Sequence, residues 1–195
     1  SKSFNEEERE KCLFATSEIV QNEIAYYIRK RIEDAYQKHQ KFKVFIFIPL
    51  LPGFAGEPEK SATLQLILKH TYAGICNNHG LSLIEKLQEK MGDEWSNYIG
   101  FYSLRNHGIV NNIPKTEIIY IHSKLMIIDD EYVLCGSANI NDRSMLGSRD
   151  SEFAVLIKEK MKTKNKINGI EMKVSKFAMD LRKQLMSEHL GIDIN

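Results

Sequence analysis

Residues 121–143 read IHSKLMIIDDEYVLCGSANINDR and place several polar residues at fixed spacing beside an apolar run. His122 and Lys124 are two residues apart, Asp129 follows after four more, and Gly136 opens the run Gly-Ser-Ala-Asn. Alternate side chains of a β-strand share one face, so His122 and Lys124 are predicted to point the same way, about 6.5–7 Å apart at Cα. The other face would pack in the core through Ile119, Ile121, Leu125 and Ile127.

These residue types suit chemistry at phosphorus. An imidazole can attack phosphorus or donate a proton to a leaving oxygen near neutral pH. A nearby ammonium can hold a phosphate and neutralise developing charge, while Gly-Ser-x-Asn offers an amide, a hydroxyl and close backbone approach. An isolated His-x-Lys is more typical of a solvated strand edge. The full spacing H-x-K-x4-D-x6-G-S-x-N is much more restrictive and favours a phosphate site.

Bulk composition limits the classes of function. The 195 residues, 43% of them hydrophobic and 27% charged, are enough for one globular domain. The formal net charge of +1 gives no global basic field for nucleic acid. No run of about 18 apolar residues is present. The three cysteines, Cys12, Cys76 and Cys135, form no C-x-x-C pair and are expected to be buried thiols in a reducing compartment.

Hydrophobic spacing predicts an α/β domain after a charged lead-in over residues 1–12. Helices are predicted from Ser17 to Ala35, from the cap residue Ser61, from the capping box at Ser82 to Gly92, and over 172–189. Strands are predicted over 11–16, 41–49, 98–104, 116–128, 132–135 and 153–157, with a loop over 52–58. The lysine-rich segment 158–166 reads as a solvated connector, with a phosphate or membrane-surface contact as the rarer alternative.

The motif resembles the second H-K-D motif of the phospholipase D superfamily, in particular that of the eukaryotic phospholipases D. The string HSKLMIIDDEYVLCGSANINDRSMLGSRDSEFAVLI, residues 122–157, carries the resemblance, and FKVFIFIPLLPGFAG and EWSNYIGFYSLR extend it upstream. It covers about residues 13–157. The resemblance implies a mixed β-sheet flanked by helices, one half of a pseudo-twofold bilobal fold, with residues 13–195 forming the catalytic half-domain.

The resemblance also implies roles for individual residues. One histidine of such a pair becomes phosphohistidine, and the other, here His122, protonates the leaving alcohol and then activates water or an alcohol. Lys124 and Asn139 are implied to bind phosphate, with help from Ser137. Asp129 is the motif aspartate, counted with the catalytic set although its part is expected to be structural, and Glu152 is implied to orient a histidine. Four further charged residues are expected to brace the site as ion pairs: Asp142, Arg143, Arg149 and Asp150. Neither a metal nor a cofactor is implied.

The second half of such a site is missing from the sequence, since no other H-x-K-x4-D occurs in the 195 residues. The chain begins at Ser1 rather than Met, and we expect a piece of a longer or split enzyme that needs a first-motif half. Pairing with a second copy of the chain is the alternative. The expected reaction is hydrolysis or transphosphatidylation of a glycerophospholipid such as phosphatidylcholine, by a cytoplasmic protein associated peripherally with a membrane. A one-motif nuclease and a non-catalytic half-domain that binds lipid or a partner remain alternatives, although nucleic acid is not the expected partner.

Overall fold

The computed structural model describes residues 22–54, 56, 59–76, 80–167 and 169–193. These residues form two compact units that divide between Ile121 and His122. Each unit combines helices with small sheets, which confirms the predicted α/β class. The prediction of a single half-domain over 13–195 stays a prediction. The lead-in over 1–12 and the strand predicted over 11–16 lie outside the described residues.

The first unit contains a parallel strand pair and a β-hairpin. Its helices are α1 (Ile24–Gln37), α2 (Ala62–Ile75), α3 (Leu83–Met91) and α4 (Trp95–Tyr98), with a 3-10 turn at Gly92–Glu94. Its strands are β1 (Val44–Phe47), β2 (Ile99–Tyr102), β3 (Leu104–Val110) and β4 (Ile113–Ile119). Strands β1 and β2 are parallel and therefore need the long crossover that α2, α3 and α4 supply. Strands β3 and β4 form an antiparallel hairpin.

The core of the first unit lies where α1 and α3 pack beside β2. Ile32, Leu87 and Ile99 are almost completely buried in it. Each such side chain contributes roughly 1.5–3 kcal/mol when it leaves water. Trp95 and Tyr98 pack against this core. The predicted helix signals are confirmed at the cap Ser61, the capping box of Ser82 and Glu85, and the stop at Gly92.

The second unit contains an antiparallel sheet, a separate hairpin and a C-terminal helix. The sheet has the order β5 (Lys124–Ile128), β6 (Tyr132–Gly136) and β7 (Ala154–Lys158). A short helix, α5 (Asp142–Met145), lies in the connection from β6 to β7. The hairpin consists of β8 (Lys162–Ile167) and β9 (Ile170–Ser175), and α6 (Lys176–Leu190) follows directly.

The strand predicted over 116–128 was wrong in its length, because the structure divides it into β4 and β5. Strand β4 pairs with β3, whereas β5 pairs with β6. Within the described residues no strand pairs with 120–123, so this stretch has no ladder to extend it. His122 therefore precedes the strand that Lys124 begins, and β5 is an edge strand of its sheet rather than a central one.

Three further predictions need correction. The helix predicted from residue 172 begins at Lys176, because residues 170–175 pair with β8 and this pairing overrides their helical propensity. The lysine-rich segment is not a connector throughout, since Lys162–Ile167 forms β8. Cys76 and Cys135 are exposed rather than buried: Cys76 caps the end of α2 and Cys135 lies in β6. Cys12 lies outside the described residues.

Candidate active site

The register of the second unit's sheet brings the candidate residues to one end of it. Lys124, the first residue of β5, pairs with Gly136, the last of β6, which pairs with Ala154, the first of β7. Residues that precede β5, follow β6 or precede β7 must therefore lie near the same end of the three strands. This end of the sheet, called the motif end here, carries His122, Lys124, Ser137, Asn139 and Glu152.

Ser137 joins two of the strands at the motif end. Its backbone N–H donates to the carbonyl oxygen of Phe153 at 3.0 Å, and its hydroxyl accepts from the Phe153 N–H at 3.0 Å. The same hydroxyl donates a short hydrogen bond to the carboxylate of Glu152. These contacts fix Glu152 beside the end of β6, so the carboxylate has a defined position although it is exposed to solvent.

The environment of Glu152 keeps it ionised. The hydrogen bond from Ser137, and next the hydrogen bond from Ser144, hold the pKa of Glu152 below its usual value. The ammonium of Lys124 lowers this pKa further, while desolvation and the charge of Asp150 oppose the shift. A negative charge next to Lys124 is thus retained throughout the neutral range.

His122 and Lys124 are linked through the backbone. The Lys124 ammonium donates to the carbonyl oxygen of His122 at 2.6 Å. His122 itself is exposed just before β5. The Lys124 ammonium therefore contacts the backbone of His122, and the predicted shared direction of the two side chains stays a prediction.

Gly136 has a packing role that the sequence did not indicate. A Cβ atom at this position would lie 2.5 Å from the carbonyl oxygen of Phe153 and 2.8 Å from the Cβ of Ala154. Any side chain at position 136 would push β7 away from β6. The sequence predicts that this glycine lets the backbone approach a phosphate, whereas its observed contacts are with the neighbouring strand.

The loop after β6 is braced locally. The backbone N–H of Asn139 donates to the Ser144 hydroxyl at 3.1 Å, and the Asn141 side chain caps α5 by accepting from the Ser144 N–H at 3.1 Å. Arg143 and Asp150 form an ion pair at 3.0 Å, which confirms this part of the predicted network. Asn139 follows the strand after β5, as expected, and the reach of its side chain to a phosphate stays a prediction.

Asp129 lies away from the other candidates. It sits in the turn between β5 and β6, exposed, with a φ of 50°. It lies five residue steps along the strand from Lys124, a Cα separation of roughly 17 Å. Its inclusion among the catalytic residues is therefore not supported by its position, and we assign it no chemistry.

The adjacent Asp130 is the buried member of this turn, and sequence reasoning missed it. Only 2% of Asp130 is exposed. Its carboxylate accepts from Arg182 Nε at 2.6 Å and from Arg182 Nη2 at 2.8 Å, and its carbonyl oxygen accepts from the Ser175 N–H at 2.8 Å. Asp130 thus connects the turn between β5 and β6 to α6 through Arg182 and to the end of β9 through Ser175. The doubled aspartate of IIDDE was the available signal, but it does not say which aspartate is buried.

The first unit contains a separate open depression of about 490 Å³. Its lining includes Pro49, Leu51, Phe54, Ile118 and Tyr120, and apart from the Tyr120 hydroxyl its side chains are apolar. Such a surface offers no charge for a phosphate and no group that would react at phosphorus. The motif end is therefore the better candidate for chemistry.

The described residues contain neither a cluster of potential metal ligands nor a helix suited to a bilayer. Among them no group of three or more His, Cys, Asp and Glu side chains could hold a metal ion. No helix in the described ranges is long and apolar enough to cross a bilayer.

Comparison with known proteins identifies the family. Residues 108–195 match the family model described as Phospholipase D. The chain is 44% identical to phospholipase D2 of Bos taurus over 174 residues, which is 88% of this chain and 18% of that protein. It is 41% identical to phospholipase D1 of Mus musculus over 91% of this chain and 17% of that protein. It is also 41% identical to phospholipase D zeta 2 of Arabidopsis thaliana, over 88% of this chain and 17% of that protein. The chain thus spans less than a fifth of the length of these relatives, and it belongs to the phospholipase D family.

Proposed function

We propose that this chain supplies one of two catalytic halves of a phospholipase D, which hydrolyses or transphosphatidylates glycerophospholipids such as phosphatidylcholine. The observation that carries the proposal is the strand register, which collects five of the motif residues at the motif end. These residues fall inside the range that matches the family model. Because the substrate is a membrane lipid, the protein would act as a peripheral membrane protein. Its compartment would be the cytoplasm, in line with the reducing compartment that the cysteines predict.

The phosphate would be held chiefly by Lys124. Its ammonium can leave the carbonyl oxygen of His122 for a phosphate oxygen, exchanging a neutral acceptor for an anionic one. Asn139 would add an amide donor from the loop after β6. Ser137 and Glu152 would act from the side of β7, where their mutual hydrogen bond fixes the carboxylate. Glu152 would orient a histidine of the completed site by accepting its N–H.

His122 would act as acid and then as base. The histidine of the first-motif half attacks phosphorus, an N–P bond forms, and the P–O bond to the alcohol breaks while His122 gives that oxygen a proton. Neutral His122 then takes a proton from water or a second alcohol as its oxygen attacks phosphorus and the N–P bond breaks. The products are phosphatidic acid or a new phosphatidyl ester, and both histidines return to their starting states.

The missing half would dock on an apolar part of the sheet. Met126, Leu134 and Leu156 are opposite one another in the register and share a face with Lys124. Met126 is 41% exposed and Leu156 62% exposed. A row of apolar side chains beside a catalytic lysine is typical of an interface that shields a site from water. We assign this face to a first-motif half of the same enzyme, with a second copy of the chain as the alternative occupant.

Two other functions are weaker candidates. A one-motif nuclease would use the same chemistry at phosphorus, but a net charge of +1 supplies little of the basic field that a nucleic-acid groove needs. A non-catalytic half-domain that binds lipid or a partner would not need His122 and Lys124 at one end of a sheet.

A substrate panel tests the proposal. The chain, with and without a separately expressed first-motif half, is incubated with choline-labelled phosphatidylcholine, with single-stranded DNA, and with phosphatidylcholine plus ethanol. We expect choline release and phosphatidylethanol only when both halves are present. Cleavage of DNA would support the nuclease instead, and no reaction of any substrate with both halves folded would support a non-catalytic role.

A further inference from the structure

The hairpin of β8 and β9 carries an unusual concentration of positive charge. Residues 162–175 contain four lysines and one glutamate, a net charge of +3 in a chain whose total is +1. In the register Lys164 stands opposite Lys173, and Lys166 opposite Glu171, so these four side chains share one face. Like charges directly opposite each other destabilise a strand pair. Folding alone therefore gives no reason for placing Lys164 and Lys173 together.

The opposite face of the hairpin is directed toward the rest of the second unit. Val174 is almost fully buried, and the Asn165 amide donates to the Asp130 carboxylate at 3.4 Å. At its base, Lys162 forms an ion pair with Glu131. The hairpin is thus held by Val174 and Asn165 on one face and by Lys162 at the base of the lysine face, while Lys164, Lys166 and Lys173 remain exposed.

The cationic face is only partly neutralised. Lys164 pairs with Glu171 at 2.8 Å, but both side chains remain largely exposed. Within the described residues Lys166 and Lys173 have no acidic partner. Three lysines with one glutamate leave a net charge of about +2 on this face, which an anionic surface could neutralise.

The tip of the hairpin is apolar. Gly169 adopts a φ of 84°, which the tight turn between the strands requires, and Ile170 follows with 63% of its surface exposed. Ile167 pairs with Ile170 across the turn on the face opposite the lysines, so Ile170 lies at the extreme tip of the hairpin. Met172 lies one step further along that same face and is 41% exposed. Apolar side chains at a tip with lysines behind them form the arrangement that a lipid interface accepts: the tip enters the headgroup region and the lysines meet lipid phosphates.

We propose that the β8–β9 hairpin is a docking element for anionic membrane surfaces, with Lys164, Lys166 and Lys173 on the headgroups and Ile170 inserted at the tip. The inference rests on the proposed function, because it names the surface by which that enzyme would reach its lipid substrate. Nucleic acid fits the lysines but would leave Ile170 at the tip in water, so the lipid surface is the occupant that the tip favours.

Vesicle sedimentation with the 195-residue chain tests the proposal without any turnover. The vesicles are phosphatidylcholine alone, or phosphatidylcholine with about one quarter phosphatidylserine. We expect binding to the anionic vesicles only, weakening as salt is raised. The variant K164Q/K166Q/K173Q should lose about tenfold or more in partition. Ile170→Ser should weaken binding while its salt dependence is retained.

The matched control is K69Q/K90Q/K115Q, which removes three exposed lysines from the first unit and changes the net charge equally. Circular dichroism establishes that each variant is folded. The proposal is overturned if the wild-type chain does not bind anionic vesicles, or if the control variant loses as much binding as the hairpin variant. It is also overturned if the hairpin substitutions reduce binding of a single-stranded oligonucleotide but not of vesicles. Because no product is measured, failure of the enzymatic proposal would leave these outcomes unchanged.

Discussion

His122 should carry both proton transfers of the proposed reaction. His122→Ala in the chain reconstituted with a first-motif half should reduce choline release by more than the ~10²–10⁴ typical of one general acid–base step, since the cycle uses the residue twice. The control is His107→Ala, because His107 is exposed on β3 and its ring forms a hydrogen bond with the Thr116 hydroxyl at 2.8 Å. Comparable losses in both variants would contradict the role of His122.

Lys124 should not tolerate replacement by arginine. A guanidinium is wider and planar, so it would displace the phosphate from the histidine rather than replace a compact ammonium. We expect Lys124→Arg to lower choline release by about 10²-fold or more, on the scale of losing one preorganised charge-stabilising group. Lys115→Arg, on exposed β4, is the control for the chemical change. Near-normal turnover of Lys124→Arg would exclude the phosphate-clamp role.

The pKa of Glu152 should depend on Ser137. The Ser137 hydrogen bond is the largest cause of the lowered pKa, so Ser137→Ala should raise the pKa of Glu152 toward 4.5. Because the pKa is depressed, interactions of the carboxylate are present above the ordinary value and are lost as pH falls through the folded-state pKa. In Ser137→Ala this loss should begin at a higher pH. Carboxyl ¹³C shifts measured by NMR against pH report the change.

Glu89 provides an internal reference in the same titration. Its pKa is lowered by Lys86 and owes nothing to Ser137, so it should be the same in the wild-type chain and in Ser137→Ala. Equal pKa values of Glu152 in the two proteins would show that Ser137 does not hold the carboxylate.

At the scale of elements, Asp130 should stabilise the second unit, whereas Asp129 should not. Both aspartates have positive φ, which asparagine also tolerates, so the Asn variants change charge without backbone strain. Asp130→Asn breaks the bidentate pair with Arg182 and should lower the free energy of unfolding by about 2–3 kcal/mol. Asp129→Asn should stay within about 0.5 kcal/mol. Urea unfolding measures the free energy of unfolding of both variants. An equal loss in the two would contradict the stabilising role of the ion pair between Asp130 and Arg182.

Local signals of individual elements could be predicted from the sequence. The Ser61 cap, the capping box at Ser82 and the stop at Gly92 depend only on residues within one turn of the helix end. The shared direction of the His122 and Lys124 side chains stays a prediction, because the hydrogen bond between these residues runs to the His122 backbone.

Features that depend on distant partners could not be predicted. The break between β4 and β5 follows from which strand pairs with each, and hydrophobic spacing does not contain that information. Arg182 and Asp130 are 52 residues apart, so their pairing could not be inferred from either local pattern. The predicted helix over 172–189 includes the end of β9, because only pairing with β8 distinguishes this segment from the start of α6.

At the scale of the whole molecule, one H-x-K-x4-D motif supplies one histidine of the proposed pair. A strictly monomeric chain should therefore not turn over phosphatidylcholine. Pairing of two copies would instead give activity that rises with the square of concentration at high dilution, when most of the chain is monomeric. The apolar row of Met126, Leu134 and Leu156 would be covered in either assembly.

The central claim is that this chain is half of a two-histidine site, and a titration tests it most directly. Increasing amounts of a separately expressed first-motif half are added to a fixed amount of this chain, and choline release from phosphatidylcholine is measured while sedimentation records the assembly. The account predicts no activity from the monomer, a linear rise on addition of the second half, and saturation near one to one. His122→Ala should assemble in the same way without activity. Robust choline release from the monomeric chain alone would contradict the claim.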